Sequence, residues 1–155
     1  MPVNEIIETD YATITVSNSG RHIEIDIDEN VKLLRHQKHL KAYCQKLYEH
    51  GVTKLNADQI KLPYLDKKID LYRGNRRLDL IYYIEGRIHE CEFKTKRECG
   101  LDNTYNQIKE QTQYCDNFIL LVPQSELTYV QDTIRLRCIK KVKVYPYDQT
   151  KPGGF

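Results

Sequence analysis

The chain has no CxxC pair, no long hydrophobic run, no internal repeat and no low-complexity segment. Each absence closes off a class. Without CxxC spacing, the five cysteines (Cys44, Cys91, Cys99, Cys115 and Cys138) do not read as a structural zinc site. They are scattered and odd in number, which predicts reduced, mostly buried thiols in a cytosolic protein. No apolar stretch approaches the roughly 18 residues needed to span a bilayer, so no membrane partner is expected. The opening residues MPVNEIIETD are acidic and lack a signal-peptide pattern, which predicts a cytoplasmic location. The histidines (His22, His36, His39, His50 and His89) show no metal-ligand spacing.

What is present is a chain of 155 residues, a length that suits one domain, 1–155, with one core. Net charge is only +2, but it is unevenly spread. Residues 1–30 carry one arginine against seven Asp and Glu; residues 61–97 carry ten Lys and Arg against six acids. The end from 131 carries six basic residues against two acidic ones. A basic body beside an acidic end suits a polyanion such as nucleic acid, although a solvated surface of mixed charge would read the same way.

Periodicity orders the elements. Ile14 and Val16, then Ile23, Ile25 and Ile27, alternate around Asn18-Ser19-Gly20 and predict an N-terminal hairpin within residues 1–28. Helical spacing from 30 to 50 ends at Gly51. Residues 52–75, broken by Pro63 and Gly74, read as a loop over a cleft, with a short strand at Lys68–Tyr72. A hairpin follows over 76–96, then a helix from a cap at Asp102 or Asn103 to about Cys115. Its buried stripe would be Leu101, Tyr105, Ile108, Thr112 and Cys115. Asn117–Val122 is the short apolar run of a fully buried strand. A helix capped by Ser125 runs to about Arg137, and Lys141–Tyr147 is a last strand near an edge, given Pro146. Residues 148–155 form a frayed tail. The predicted fold class is α/β: a mixed central β-sheet flanked by helices over 30–147, with an N-terminal β-hairpin.

The chemistry gathers on the hairpin 76–96. If Glu85-Gly86 makes a two-residue turn, Ile84 pairs with Arg87 and the ladder counts outward. Ile81 then faces Glu90, Asp79 faces Glu92, and Lys94 points to the same side as Glu92. Opposed carboxylates on neighbouring strands repel and need a cation between them. Mg2+ or Mn2+, which prefer oxygen ligands, would be held by Asp79 and Glu92, with the backbone carbonyl of Phe93 completing the protein's share. Lys94 would hold or activate the attacking water, or neutralise charge on a phosphate. Arg76 and Arg77 before Asp79, and Lys96 and Arg97 after Lys94, are placed to contact phosphates. Gln107, Gln111 and Tyr114 fall on one helical stripe that could face the site. The twelve tyrosines could stack on bases, or simply pack at element edges.

Asp79 followed across a hairpin by Glu92-Phe93-Lys94 resembles the PD-(D/E)XK nuclease superfamily. The similarity continues into YNQIKEQTQYCDNFILLVP, where a helix bearing Gln107 precedes a buried strand, as in the RecB-like branch; archaeal junction resolvases are similar in length and architecture. Where the RecB-like pattern has Tyr, this chain has Gln111. The resemblance implies a restriction-endonuclease-like core and a Mg2+- or Mn2+-dependent deoxyribonuclease acting on DNA. It also implies an acidic residue on or just after the first core helix, for which Glu49 is the candidate and Asp58 the alternative. Many members act as dimers that cut two strands, so a homodimer is one expected state. Two other readings stand beside it: a catalytically inactive nucleic-acid-binding or assembly module that keeps the nuclease fold, and a mixed-sheet interaction domain in which Asp79 and Lys94 are only an ion pair.

Overall fold

A computed structural model describes residues 3–8, 12–27 and 29–148. The chain divides into two compact units, Met1–Lys38 and His39–Phe155. The expected frayed tail lies outside the described residues, apart from Asp148.

The first unit carries a three-stranded antiparallel sheet in the order β1 (Val3–Glu8), β2 (Ala12–Ser17), β3 (His22–Ile27). The expected hairpin is β2–β3, with Ile14 opposite Ile25 and Val16 opposite Ile23. Its turn places Asn18, Ser19 and Gly20 at φ of 52°, 54° and 82°. Asn and Gly enter that left-handed region most readily, which explains the turn sequence. Strand β1 was not expected, because VNEIIE lacks the alternation that marks a half-buried strand.

Helix α1 (Glu29–Glu49) ends in a Schellman motif. Val52 N–H donates to Leu47 O and Gly51 N–H to Tyr48 O, both at 3.0 Å, with Gly51 at φ 94°. In the second unit follow β4 (Leu55–Ala57), β5 (Tyr72–Arg73), β6 (Arg76–Arg77), β7 (Leu80–Ile84) and β8 (Arg87–Phe93). Helix α2 (Asp102–Gln111), β9 (Phe118–Val122), α3 (Leu127–Leu136) and β10 (Val142–Pro146) complete the order. The segment expected as a loop with a short strand at Lys68–Tyr72 thus contributes β4, and its later strand is Tyr72–Arg73, which forms a two-stranded ladder with β6. Arg76 and Arg77 belong to that small ladder rather than to the central hairpin.

The main sheet is mixed, in the order β10-β9-β8-β7-β4. Strands β8, β9 and β10 run parallel, while β7 is antiparallel to both β8 and β4. β9 sits inside and is buried throughout, hence its unbroken FILLV. β10 lies at an edge, as Pro146 suggested. Leu40, Tyr43, Cys44 and Leu47 of α1 pack against Leu80, Tyr82, Cys91, Phe93, Ile119 and Leu121 on one face. Tyr105 and Ile108 of α2, with Val130 and Ile134 of α3, pack against Ile81, Phe118, Leu120 and Val122 on the other.

Two helix starts differ from expectation. Leu101 occupies the N-cap of α2, with no side-chain cap, and Leu101 is exposed rather than part of the buried stripe. Asp102 is drawn instead into an ion pair with Arg137. Residues Gln124–Glu126 form a 3-10 turn ahead of α3, so Ser125 is not its cap. The thiols are free, and three of them (Cys44, Cys91 and Cys99) are buried. Burial pushes the Cys44 thiol up to about 12 and the Cys99 thiol to about 11, so both stay protonated and inert.

Candidate active site

The central hairpin turns at Glu85 and Gly86, which take φ of 51° and 78°. Ile84 pairs with Arg87, Tyr83 with Ile88, Ile81 with Glu90 and Leu80 with Cys91. Asp79 lies one residue before β7, so extending this register by one place sets it across from Glu92. Its Oδ2 accepts a hydrogen bond from Phe93 N–H at 2.8 Å. That bond stands where a further ladder bond would otherwise form, and it fixes the carboxylate beside the Glu92–Lys94 segment.

Glu92 and Lys94 are only 8% and 7% exposed. They share a pocket with Arg76 of β6 and with Gln107, Ile108 and Gln111 of α2, floored by Phe118 of β9. Five residues singled out in the sequence therefore line one cavity, and Asp79 adjoins it. Burial, then the neighbouring Asp79 carboxylate, holds the Glu92 carboxyl well above the usual range; Lys94 and Arg76 oppose the rise. Two carboxylates forced together in a low-dielectric site must share a proton or a cation.

Lys94 is positioned from both sides. Its N–H donates to Leu121 O at 2.9 Å, tying it to β9. Its Nζ lies 3.8 Å from Glu98 Oε2. Glu98 itself is held by a reciprocal pair with Thr95: Thr95 N–H donates to Glu98 Oε1 at 3.1 Å, and Glu98 N–H to Thr95 Oγ1 at 3.3 Å. This is capping-box chemistry, applied to the turn that leaves β8.

Other expected residues fall elsewhere. Glu49 is exposed at the end of α1, where Gln45 Nε2 donates to it at 3.3 Å. α1 covers the face of Leu80 and Phe93, whereas Glu92 and Lys94 point to the other, so Glu49 is not brought to Asp79. Asp58 is nearer: its N–H donates to Asp79 O at 2.9 Å, one place beyond the β4–β7 register. Arg77 Nε lies 2.9 Å from Asp58 Oδ1, a charge pairing not aligned as a hydrogen bond. Arg77 does not line the pocket. Lys96 and Arg97 are exposed in the turn after β8. Phe93 turns its ring away, onto Tyr43 and Tyr147. His89 stacks on Tyr82, on the face opposite Glu92.

Glu90, outside the candidate residues above, supports the site. It is 1% exposed and two residues before Glu92 on the same face. One oxygen pairs with Arg73 Nε; the other accepts Asp116 N–H at 2.7 Å and Asn117 N–H at 3.0 Å. Arg73 O in turn accepts from Gln111 Nε2 at 3.2 Å. The β5–β6 hairpin is thereby fastened both to β8 and to α2. The sequence did carry a signal for this: a carboxylate within an apolar strand requires a partner.

Among the described residues, no group of three or more His, Cys, Asp and Glu side chains is gathered as for a metal ion. The protein donors at this pocket are two carboxylates, Asp79 and Glu92, hard oxygens of the type Mg2+ and Mn2+ accept alongside water. The raised Glu92 carboxyl fits such an ion, because a divalent charge would take the place of the shared proton. Among the described residues, no helix is long and apolar enough to cross a membrane. Comparisons of the chain with protein-family models, with curated proteins and with solved structures find no match.

Proposed function

We propose that the chain is a metal-dependent nuclease that hydrolyses phosphodiester bonds in DNA, on a restriction-endonuclease-like core. The observation that supports this reading best is the sharing of one pocket by Glu92, Lys94, Arg76, Gln107 and Gln111, with Asp79 held beside Glu92. Cationic and carboxylate side chains sunk side by side suit a phosphate ester better than a surface ion pair, which leaves its charges in water.

Asp79 and Glu92 hold Mg2+ or Mn2+, with the Phe93 carbonyl as a third protein oxygen. When bound, the ion polarises a phosphoryl oxygen and lowers the pKa of a coordinated water. Lys94 orients the attacking water and offsets charge on the phosphate. Arg76 contacts a non-bridging phosphate oxygen, and Gln107, exposed on α2, donates to water or phosphate at the pocket mouth.

The test is incubation with single-stranded, duplex and branched DNA in Mg2+, Mn2+ or EDTA. Cleavage that requires metal and disappears in Asp79→Ala, Glu92→Ala and Lys94→Ala, purified in parallel, supports the proposal. Binding without cleavage, unchanged in those variants, would leave an inactive binding module instead.

A further inference from the structure

The β5–β6 hairpin does more than close the pocket. Its ladder pairs Arg73 with Arg76 and Tyr72 with Arg77. Arg73 is spent on Glu90, and Arg76 lines the pocket. On the adjoining positions, the Arg77 guanidinium lies 5.9 Å from the Tyr72 ring centre. The turn of the hairpin meets a second tyrosine. A Cβ added at Gly74, which takes φ 62°, would stand 3.1 Å from the Tyr114 ring, so backbone and ring are closer here than a side chain tolerates without the ring giving by a few tenths of an ångström. Tyr72 and Tyr114 are nonetheless 54% and 53% exposed, so both keep ring surface open to solvent. Two aromatic faces thus stand on or against one six-residue hairpin whose Arg76 lines the pocket of Glu92 and Lys94, while Arg73 and Arg77 are paired with Glu90 and Asp58.

Resting on the nuclease reading above, we infer that the substrate is an unpaired nucleic-acid strand, whose bases stack on Tyr72 and Tyr114 while Arg76 holds a phosphate at the pocket mouth. Two features point this way. Exposed rings beside phosphate-binding cations are used by unpaired bases, which offer their faces; paired bases keep theirs inside the stack. Glu92 and Lys94 are also more than nine-tenths buried, under a hairpin fastened to α2 through Gln111 and to β8 through Glu90. The pocket they line is only about 10 Å3, room for one water, so a single strand would lie across its mouth rather than enter it. A duplex would have to bring its second strand past the fastened hairpin.

The experiment measures binding by fluorescence anisotropy in EDTA, so that no cleavage intervenes. The probes are a labelled single-stranded oligonucleotide, as DNA and as RNA, and a duplex of the same sequence. The expected result is preference for either single strand over the duplex, and about tenfold weaker single-strand binding in each of Tyr72→Leu and Tyr114→Leu. Tyr72→Phe and Tyr114→Phe, which keep the ring, should bind like the parent chain; circular dichroism checks that the leucine variants fold. Equal affinity for duplex and single strand, or leucine variants that bind as the parent does, would overturn the inference. Metal-dependent cleavage in the same preparations is scored separately. Cleavage with neutral tyrosine variants sinks the substrate assignment alone. Tyrosine-dependent strand binding with no cleavage in any metal sinks the nuclease reading alone.

Discussion

Asp79 Oδ2 accepts the backbone N–H of Phe93 at 2.8 Å, so the first carboxylate of the site is anchored to the residue lying between Glu92 and Lys94. One side chain therefore has two duties, holding strand register and holding charge, and substitution can separate them. Asp79→Asn keeps an acceptor for Phe93 and removes the charge. It should melt close to the parent temperature yet lose metal-dependent cleavage, by more than the roughly 100-fold that loss of an outer partner of a metal ligand costs. Asp79→Ala should lose cleavage and also about 1–3 kcal/mol of stability, because the Phe93 donor is left without its partner. Denaturant melts beside single-turnover cleavage check both; equal stability of the two variants would show that the hydrogen bond contributes little.

Glu92 makes stability depend on pH, with a definite sign. Its carboxyl is raised well above the ordinary 4.5 by burial and by Asp79. Between the ordinary value and the raised one, the folded chain keeps a proton that the unfolded chain has released. Its contribution is complete below about pH 4.5 and falls away as pH rises through the folded value, at up to about 1.4 kcal/mol per pH unit. Thermal melts in EDTA should therefore show a decline toward alkaline pH that Glu92→Gln flattens. Mn2+ should reverse the decline, because metal displaces the proton and binds more tightly as pH rises. A Mn2+ stabilisation of equal size in Glu92→Gln would place the ion elsewhere.

How far the sequence revealed this depended on whether a signal was local. The β7–β8 register followed from one dipeptide, Glu85-Gly86, because a two-residue turn leaves the ladder no freedom. β9 followed from five apolar residues in a row. The sequence placed Glu92, Lys94, Gln107 and Gln111 near one another through element order alone, and the pocket joins them. What escaped was held by distant partners. β4 is three residues long and stands only because β7 pairs with it. The β5–β6 hairpin depends on Glu90 and Gln111, 17 and 38 residues from Arg73 along the chain. No periodicity records such a bond. The order of elements points to Glu49, but it does not say which face of the sheet a helix covers.

The buried Arg73–Glu90 pair should be among the more sensitive contacts in the second unit. Glu90 is enclosed and keeps its two backbone donors when Arg73 is lost, but its charge then has no counterion. Arg73→Met should cost about 3 kcal/mol or more, as for other broken buried pairs. The double variant Arg73→Met with Glu90→Gln should recover part of that loss, because the stranded charge is gone. A double-mutant cycle in urea measures the coupling. Additive losses would mean that the two residues act independently.

Asp58 and Glu49 offer the sharpest contrast about the upstream acid. Glu49 is exposed at the end of α1, over the sheet face opposite Glu92. Glu49→Ala should leave Mn2+ affinity and cleavage unchanged, and stability within about 0.5 kcal/mol, as at other open surface sites. Asp58 is bonded through its N–H to Asp79 O, and its carboxylate balances Arg77. Asp58→Asn keeps the backbone bond and frees the Arg77 charge next to Asp79, where it competes with a divalent ion. Mn2+ affinity, read by calorimetry, should fall about 10- to 100-fold, the range seen when partners just outside a metal's ligands are changed. The same loss in Glu49→Ala, with Asp58→Asn neutral, would reverse the assignment and require α1 to reach the site from the other face.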